Sequence, residues 1–529
     1  MISLIDEVQL TETGLLPSLI QDYLNGSEKL KHLYGYKPQL NSFSKVLLDK
    51  SAQPINRALL VDVLKQQYAS LPVSNEVVQN INLLADAKTF TVTAAHQPCL
   101  FMGPLYNFYK ISGAINLAQQ LKGEYPDYNF VPVFWMGSED HDIDELNHVS
   151  VEGKEVKWEG GSGAVGRLDS SIIESALSAL KAHTGENAVT AILESGLRDY
   201  HNLGKLTQYL VNELFKQHGL VVIDQDDKRL KEAFIPFIKD DVLNNRASSI
   251  LRDTVDYLDS NYKAQAKPRD INFFYLGEGY RERIVFDAQE NVYRVNNKAI
   301  TFTRPQMESE MDSNPERFSP NVIYRPVYQE VILPNLCFIG GSGELSYWLE
   351  LKPLFDYYKV NFPVLMPRNS AAIISSGVRT KMQKADLSAS ALFQKPENFI
   401  ADRIKQQMDG QLSLEQEKRK VEQLFDEIAT KAEAVDTTLK QSAFGEKQKA
   451  LNALEALEGK MLKAEKRKQE TFSNQVYAVH EALFPKQSLQ ERIESFVPFY
   501  DEHFINALVN TLNPLEFKFR FFQLEKPAN

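Results

Sequence analysis

Cysteine is almost missing from this 529-residue chain; only Cys99 and Cys337 occur. Two thiols cannot build a disulfide framework, and they leave a structural zinc site of thiolates nearly without ligands. Long apolar runs are missing too: no stretch approaches the roughly 20 residues that a membrane span needs. The opening segment, MISLIDEVQLTETG, has neither a basic n-region nor a long apolar h-region. Together these absences point to a cytoplasmic protein without membrane attachment. Blocks of Lys and Arg are also lacking, and 59 basic against 70 acidic residues give a net charge of −11. That balance argues against an extended nucleic-acid surface, because phosphate contact is driven by clustered positive charge. Internal repeats and low-complexity tracts do not occur, and neither do the HExxH, Walker or dinucleotide fingerprints.

What is present reads as an ordinary globular chain, 43% hydrophobic and 24% charged, long enough for two or three domains. The first seventy-odd residues read as a helical lead-in. KTFTVTAAHQ, Lys88 to Gln97, is a strand. It is followed by GPLYNFYKISGAINLAQQLK, whose apolar residues fall at helical spacing behind Pro104. YNFVPVFW is a second strand, nearly continuous in apolar residues, as a strand covered on both faces should be. Strand, helix and strand in this order make a βαβ unit, hence a parallel sheet. HGLVVIDQDD and PRDINFFYLGEGYRERIVFD read as further sheet, the latter bending at Gly277 and Gly279. Asn321 to Arg368 resumes the pattern with a strand, a glycine turn, a helix and a strand.

Composition changes again from Leu412. Leu414, Val421, Leu424, Ile428 and Val435 form a heptad seam, and Ala450, Leu454, Leu457, Met461 and Ala464 form another. With Gly445 as the turn between them, they predict an antiparallel coiled-coil arm. The tail after it is apolar enough to pack on the main body.

Two polar clusters sit where a parallel sheet binds ligands, at the carboxyl ends of strands, and a third surrounds a glycine-rich turn. The first is AAHQPCLFMGP, where His96 and Gln97 end a strand and Gly103 and Pro104 open a helix; a capped turn is the alternative. The second follows the strand Phe130 to Trp135: GSEDHDIDELNH carries Glu139, Asp140, His141, Asp142, Asp144, Glu145 and His148. Carboxylates there suit the ammonium or hydroxyl groups of a small polar metabolite. A metal held by His141 and His148 is the minority reading, since the spacing matches no metal motif. The third, RPVYQEVILPNLCFIGGSGELSYW, offers Arg325 for an anion, and Gly340, Gly341 and Gly343 for close backbone approach. Glu344 there either caps the following helix or binds a sugar hydroxyl.

These blocks resemble the bacillithiol-biosynthesis cysteine ligase family, BshC. The resemblance is carried in order by HQPCLFMGPLYNFYK, PVFWMGSEDHDIDELNH, SPNVIYRPVYQEVILPNLCFIGGSGELSYWLELK and FPKQSLQER. It implies an α/β fold: a Rossmann-type parallel sheet core interrupted by a connective-peptide insertion, plus an α-helical antiparallel coiled coil. It also implies a homodimer, and a reaction that adds cysteine to glucosaminyl-malate. The fold class is similar to class I aminoacyl-tRNA synthetases, and HQPCLFMGP occupies the place of their ATP-binding HxGH motif without its second histidine. That likeness points to ATP, carried with Mg2+, as the activating co-substrate, with no structural metal.

The expected organisation is a helical lead-in and first half-core over 1–150 and an inserted region over 151–318. The second half-core follows over 319–385, the arm over 386–480, and a C-terminal segment packing on the core over 481–529. Asp140, His141 and His96 are expected to be catalytic. Gln97, Glu139, Asp142, Arg325, Gln329 and Glu330 are expected to bind substrate, and Gly103, Gly340, Gly341, Gly343 and Glu344 the nucleotide. The competing readings are a nucleotide-binding coiled-coil interaction protein without catalysis and a metal-dependent hydrolase centred on His141 and His148.

Overall fold

The apolar runs that read as doubly covered strands do lie in the interior of a parallel sheet. In the computed structural model, which describes residues 2–407 and 413–524, five strands run in the order Val364–Pro367, Asn335–Gly340, Thr89–His96, Asn129–Met136, Val221–Asp224. Each neighbouring pair is parallel. The helix Tyr106–Glu124 connects Thr89–His96 to Asn129–Met136 and packs against both strands. Even the polar residues of the central strand are spent inside: Thr91 and Thr93 donate their hydroxyls to Asn335 Oδ1 on the next strand, at 3.2 and 2.8 Å.

Two compact units make up the chain, one of residues 1–373 with 488–529, the other of residues 374–487. The first unit holds the parallel sheet. It also holds an antiparallel sheet in the order Ile300–Phe302, Val292–Val295, Tyr280–Asp287, Phe273–Gly277, Phe318–Pro320. The stretch read as bending at Gly277 and Gly279 is the hairpin of that sheet, and Gly279 takes the left-handed φ of +69° that its turn requires.

Two readings of this unit change. The lead-in begins with a strand, Ile2–Gln9, paired antiparallel with Lys518–Leu524 at the other end of the sequence. Only Ile2 and Val8 of that strand are buried, so its alternation is faint. The stretch 151–318 is not wholly separate from the core either, because Val221–Asp224 is the fifth strand of the parallel sheet. The C-terminal segment packs as its apolar content suggests: Phe496 stacks on Phe108 at 4.2 Å, and Asn116 donates to the Val509 carbonyl at 2.8 Å.

The second unit is helical, and its longest elements are Glu415–Val435 and Leu439–Lys468. Cross-helix ion pairs show that they run antiparallel. Lys418 meets Glu458 at 2.9 Å, Asp426 meets Lys447 at 2.8 Å, and Glu433 meets Lys440 at 2.8 Å. The connection is not at Gly445, which lies inside the second helix. It is at Asp436–Thr438, where the Asp436 carboxylate accepts from the Thr438 amide and hydroxyl at 2.8 and 2.7 Å.

The facing surfaces are also rotated from the heptad reading. Leu414, Lys418, Val421, Phe425, Ala429 and Ala432 are the covered or half-covered positions of the first helix. Leu424, Ile428, Val435 and Leu457 are 53, 40, 81 and 48% exposed. Leu412 lies outside the described residues. Among these, no helix is long and apolar enough to cross a membrane.

The displaced turn yields a prediction. A Cβ at Gly445 would meet nothing within 4 Å, and in an exposed helix interior Ala is favoured over Gly by about 1 kcal/mol. Gly445→Ala should therefore raise the unfolding midpoint of the helical arm, followed by circular dichroism on heating. A lowered midpoint would put a turn at Gly445 after all.

Candidate active site

From the central pair of strands the chain winds outward in both directions. Thr89–His96 leads to Asn129–Met136 and then Val221–Asp224, while Asn335–Gly340 leads to Val364–Pro367 on the other side. The seam between Thr89–His96 and Asn335–Gly340 is the switch point of the sheet, where the loops after the strands diverge and leave a crevice. A cavity of about 490 Å³ lies there, with Ala95, His96 and Gln97 on one side and Gly341 to Glu344 on the other.

One wall is organised by Asp140. Adjacent parallel strands bring His96 into register with Met136, and the Gln97 amide then donates to Asp140 Oδ2 at 3.0 Å. Arg325 Nη1 pairs with the same oxygen at 3.3 Å. Asp140 Oδ1 receives Arg281 Nη1 at 3.4 Å and the His141 amide at 3.2 Å. Burial acts to raise the pKa of this carboxyl. The Arg325 charge, the His141 hydrogen bond, Arg281 and Gln97 outweigh it and hold the group far below the usual carboxylate range. Asp140 is therefore permanently ionised and is not a proton-transfer group.

Its arginines differ. Arg281 is buried under Ser319 Oγ and the Pro320 carbonyl, 2.9 and 3.0 Å away, with Phe274 against its face at 3.9 Å. Burial lowers its pKa to about 10, so it stays charged at neutral pH. Arg325 lines the cavity, and its Nε is buried without a partner among the described residues.

The opposite wall is built on Glu344 and Lys110. Glu344 Oε2 accepts from the Gly341 amide at 2.7 Å and pairs with Lys110 Nζ at 2.5 Å. Lys110, on the inner face of the helix Tyr106–Glu124, also donates to the Ala95 carbonyl at 3.1 Å. Burial lowers the pKa of this lysine, and the Glu344 carboxylate counters it. Between the walls, His96 Nε2 lies 2.7 Å from the Tyr106 hydroxyl, and Nδ1 lies 3.1 Å from the Gln97 carbonyl and 3.3 Å from Cys99 Sγ.

A carbonyl only accepts, so Nδ1 carries the proton and Nε2 receives the tyrosine hydroxyl. Burial, then the charge of Lys110, lowers the His96 pKa to about 4, and burial pushes the Cys99 thiol up to about 12. The first is a neutral imidazole and the second an unreactive thiol. The turn that carries them is strained, since Phe101 and Met102 take φ of 49 and 66° ahead of Gly103.

Of the expected residues, His96, Gln97, Asp140, Arg325, Gly341, Gly343 and Glu344 line this one cavity. The others do not. Glu139 is fully buried and turned away, with its carboxylate on Lys231 and the Gln225 amide. Gln329 and Glu330 are buried in the helix Arg325–Ile332; Glu330 binds Lys50 at 3.1 Å and Asn335 at 2.7 Å, and accepts from Gln329 at 3.0 Å. Gly340 is packed, since a Cβ there would come within 2.7 Å of the Phe338 ring. Gly103 closes the turn, with Cys99 Cβ only 3.1 Å from where its own Cβ would stand.

Asp142 is exposed on the loop. His141 is half-exposed and takes Arg281 Nη1 on its Nδ1 at 3.1 Å, while His148 Nδ1 rests on Asn147 Oδ1. Among the described residues no group of three or more His, Cys, Asp or Glu is placed to hold a metal ion, which removes the geometric support for the hydrolase reading. The sequence reading passed over Tyr106, Lys110, Tyr347, Arg368 and Arg492, all on the cavity wall.

The neutral histidine can be checked directly. His96 should titrate near pH 4 by NMR, and Lys110→Met should move that titration upward. The folded-state value lies below the ordinary 6.5, so the unfolded chain takes up this proton first. The group's effect on stability therefore rises with pH between about 4 and 6.5 and is flat above. A wild-type titration at 6.5 or higher would contradict the described burial.

The family model described as "Bacillithiol biosynthesis BshC, N-terminal Rossmann-like domain" matches residues 4–369, and "Bacillithiol biosynthesis BshC, C-terminal coiled-coil domain" matches residues 371–524. A Flavobacterium johnsoniae protein is 39% identical, with 98% of this chain and 99% of that one covered. Flavobacterium psychrophilum has a relative at 38% (96% and 98% covered), and Cytophaga hutchinsonii one at 36% (97% and 98%). All three carry the name "Putative cysteine ligase BshC". With both domain models matched in order and relatives alike from end to end, the chain belongs to the bacillithiol-biosynthesis BshC family.

Proposed function

We propose that this protein is a cysteine ligase that joins the carboxyl of cysteine to the amine of glucosaminyl-malate, with ATP as the activator. The observation that carries the reading is a single cavity at the sheet's switch point with Arg325 on one wall and Glu344 on the other. The relatives' shared name supports the cysteine ligase class. Amide formation from a free carboxylate needs activation. In the proposed sequence a cysteine carboxylate oxygen attacks the α-phosphorus of ATP and pyrophosphate leaves. The acceptor amine then attacks the carbonyl carbon, AMP leaves, and the amine's proton is released. Mg2+ would arrive on the nucleotide phosphates rather than in a protein cage.

The residues divide this work by charge. Asp140, already shared by two guanidiniums, is ill-suited to a substrate ammonium and acts by holding Arg325 toward the cavity. Glu344 is the better ammonium acceptor, because its Oε1 has no partner among the described residues. His96, neutral at physiological pH, is a titratable base on the wall, with the Tyr106 hydroxyl against it. A homodimer is proposed on the exposed Leu424, Ile428 and Val435 of the arm, to be read by analytical ultracentrifugation. Free Cys99 and Cys337 suit the reducing cytoplasm.

The test is mass-spectrometric detection of the ligated thiol from cysteine, glucosaminyl-malate and ATP. Asp140→Asn should cut its formation per folded molecule by about 100-fold or more and lower the melting temperature as well, because losing a partner of desolvated charges costs several kcal/mol. Asp144→Asn, exposed in the short helix Ile143–Leu146 that follows the loop, should stay within about threefold of wild type. Equal product from wild type and Asp140→Asn would leave Asp140 a structural ion-pair partner with no part in the reaction.

A further inference from the structure

The chain returns to the cavity in a segment far from the other site residues. Gln490 clasps the backbone of Ile373 from both sides, accepting from its amide and donating to its carbonyl, each at 2.8 Å. Glu491 is fully buried and accepts from Arg368 Nη2 at 2.6 Å, the Ala371 amide at 2.8 Å and the Ser370 hydroxyl at 3.2 Å. Three residues later Glu494 accepts from the Ser150 hydroxyl at 2.8 Å. Three anchored side chains fix the register of this segment and deliver Arg492 to the cavity rim.

Charge balance sets Arg492 apart. Lys110 is matched by Glu344, Arg325 by Asp140, and Arg368 by Glu491. The Arg492 guanidinium has no hydrogen bond or ion pair among the described residues, although its charge is felt at Tyr106. That tyrosine ring has Arg368 5.2 Å and Lys110 5.7 Å from its centre. The cavity lining thus holds Lys110, Arg325, Arg368 and Arg492 against the carboxylates of Asp140 and Glu344, an excess of positive charge in a chain whose net charge is −11.

We infer that Arg492 and Arg368 form an oxyanion subsite on the rim, which takes a carboxylate or phosphate of a ligand whose other end reaches Gln97 and Arg325. Which of the two it takes rests on the ligase reading; that an anion binds there does not. Arg368 is pre-oriented by Glu491, and Arg492 supplies the uncompensated charge, with a planar fork that matches either group in two-point fashion.

The test is calorimetric titration of the full chain with L-malate and, separately, with MgATP, on wild type, Arg492→Gln and Arg492→Lys. Arg492→Gln should weaken at least one ligand by about tenfold or more, and Arg492→Lys should recover part of it. The melting temperature should hold, since the guanidinium has no partner to lose. Loss confined to L-malate identifies a carboxylate subsite, loss confined to MgATP a phosphate subsite, and loss of both a subsite that either anion enters. Wild type that binds neither ligand, or a variant that binds both as wild type does, overturns the inference. Wild type that forms no ligated thiol while its anion binding still depends on Arg492 would remove the ligase reading and leave the subsite standing.

Discussion

One carboxylate joins the parts of this site. Asp140 ends the loop after one strand of the parallel sheet and takes Gln97 from the neighbouring strand, Arg281 from the antiparallel sheet and Arg325 from the helix that precedes Asn335–Gly340. Two guanidiniums this desolvated repel each other unless an anion sits between them. Such buried pairs add little net stability over apolar packing, but breaking one is expensive. Asp140 therefore acts chiefly through geometry: it fixes Arg325 at the cavity wall with one edge of the guanidinium engaged and Nε unpaired among the described residues.

The opposite wall repeats the device with the signs reversed. Lys110 is buried against Glu344, which also caps the helix that starts at Ser342. Each wall presents one partly engaged group, a cation on the Asp140 side and a carboxylate on the Lys110 side. A ligand with both an acidic and an ammonium group, such as an amino acid, meets complementary charge at both ends. Between the walls, burial and Lys110 keep His96 uncharged, so the cavity holds fixed charges and one neutral base.

What the sequence disclosed of this arrangement was local. The βαβ unit was legible because its apolar runs are continuous and its helix carries a regular period; the polar strand ends marked the crevice. Side-chain direction was not legible. Glu139 and Asp140 are adjacent and equally acidic, yet successive side chains diverge, so one faces the cavity and the other is buried on Lys231. Gln329 and Glu330 share a helix with Arg325 but are buried, Glu330 held by Lys50 and Asn335 and Gln329 by Glu330. Lys110 hid inside an apolar helix, and Arg492 came from the far end of the chain. The strand Ile2–Gln9 was missed for the same reason, because its partner lies more than 500 residues away. In the arm the heptads announced two paired helices, while the Asp436 turn and a seam through Val421, Phe425 and Ala429 set their register.

The cavity at the switch point is where substrates are predicted to bind. A crystal structure of the protein grown with ATP and cysteine tests this most directly. Ligand density is predicted between the Gln97–Arg325 wall and Glu344, with Asp140 still bonded to both guanidiniums. Ligand density on another surface, with this cavity empty, would contradict it.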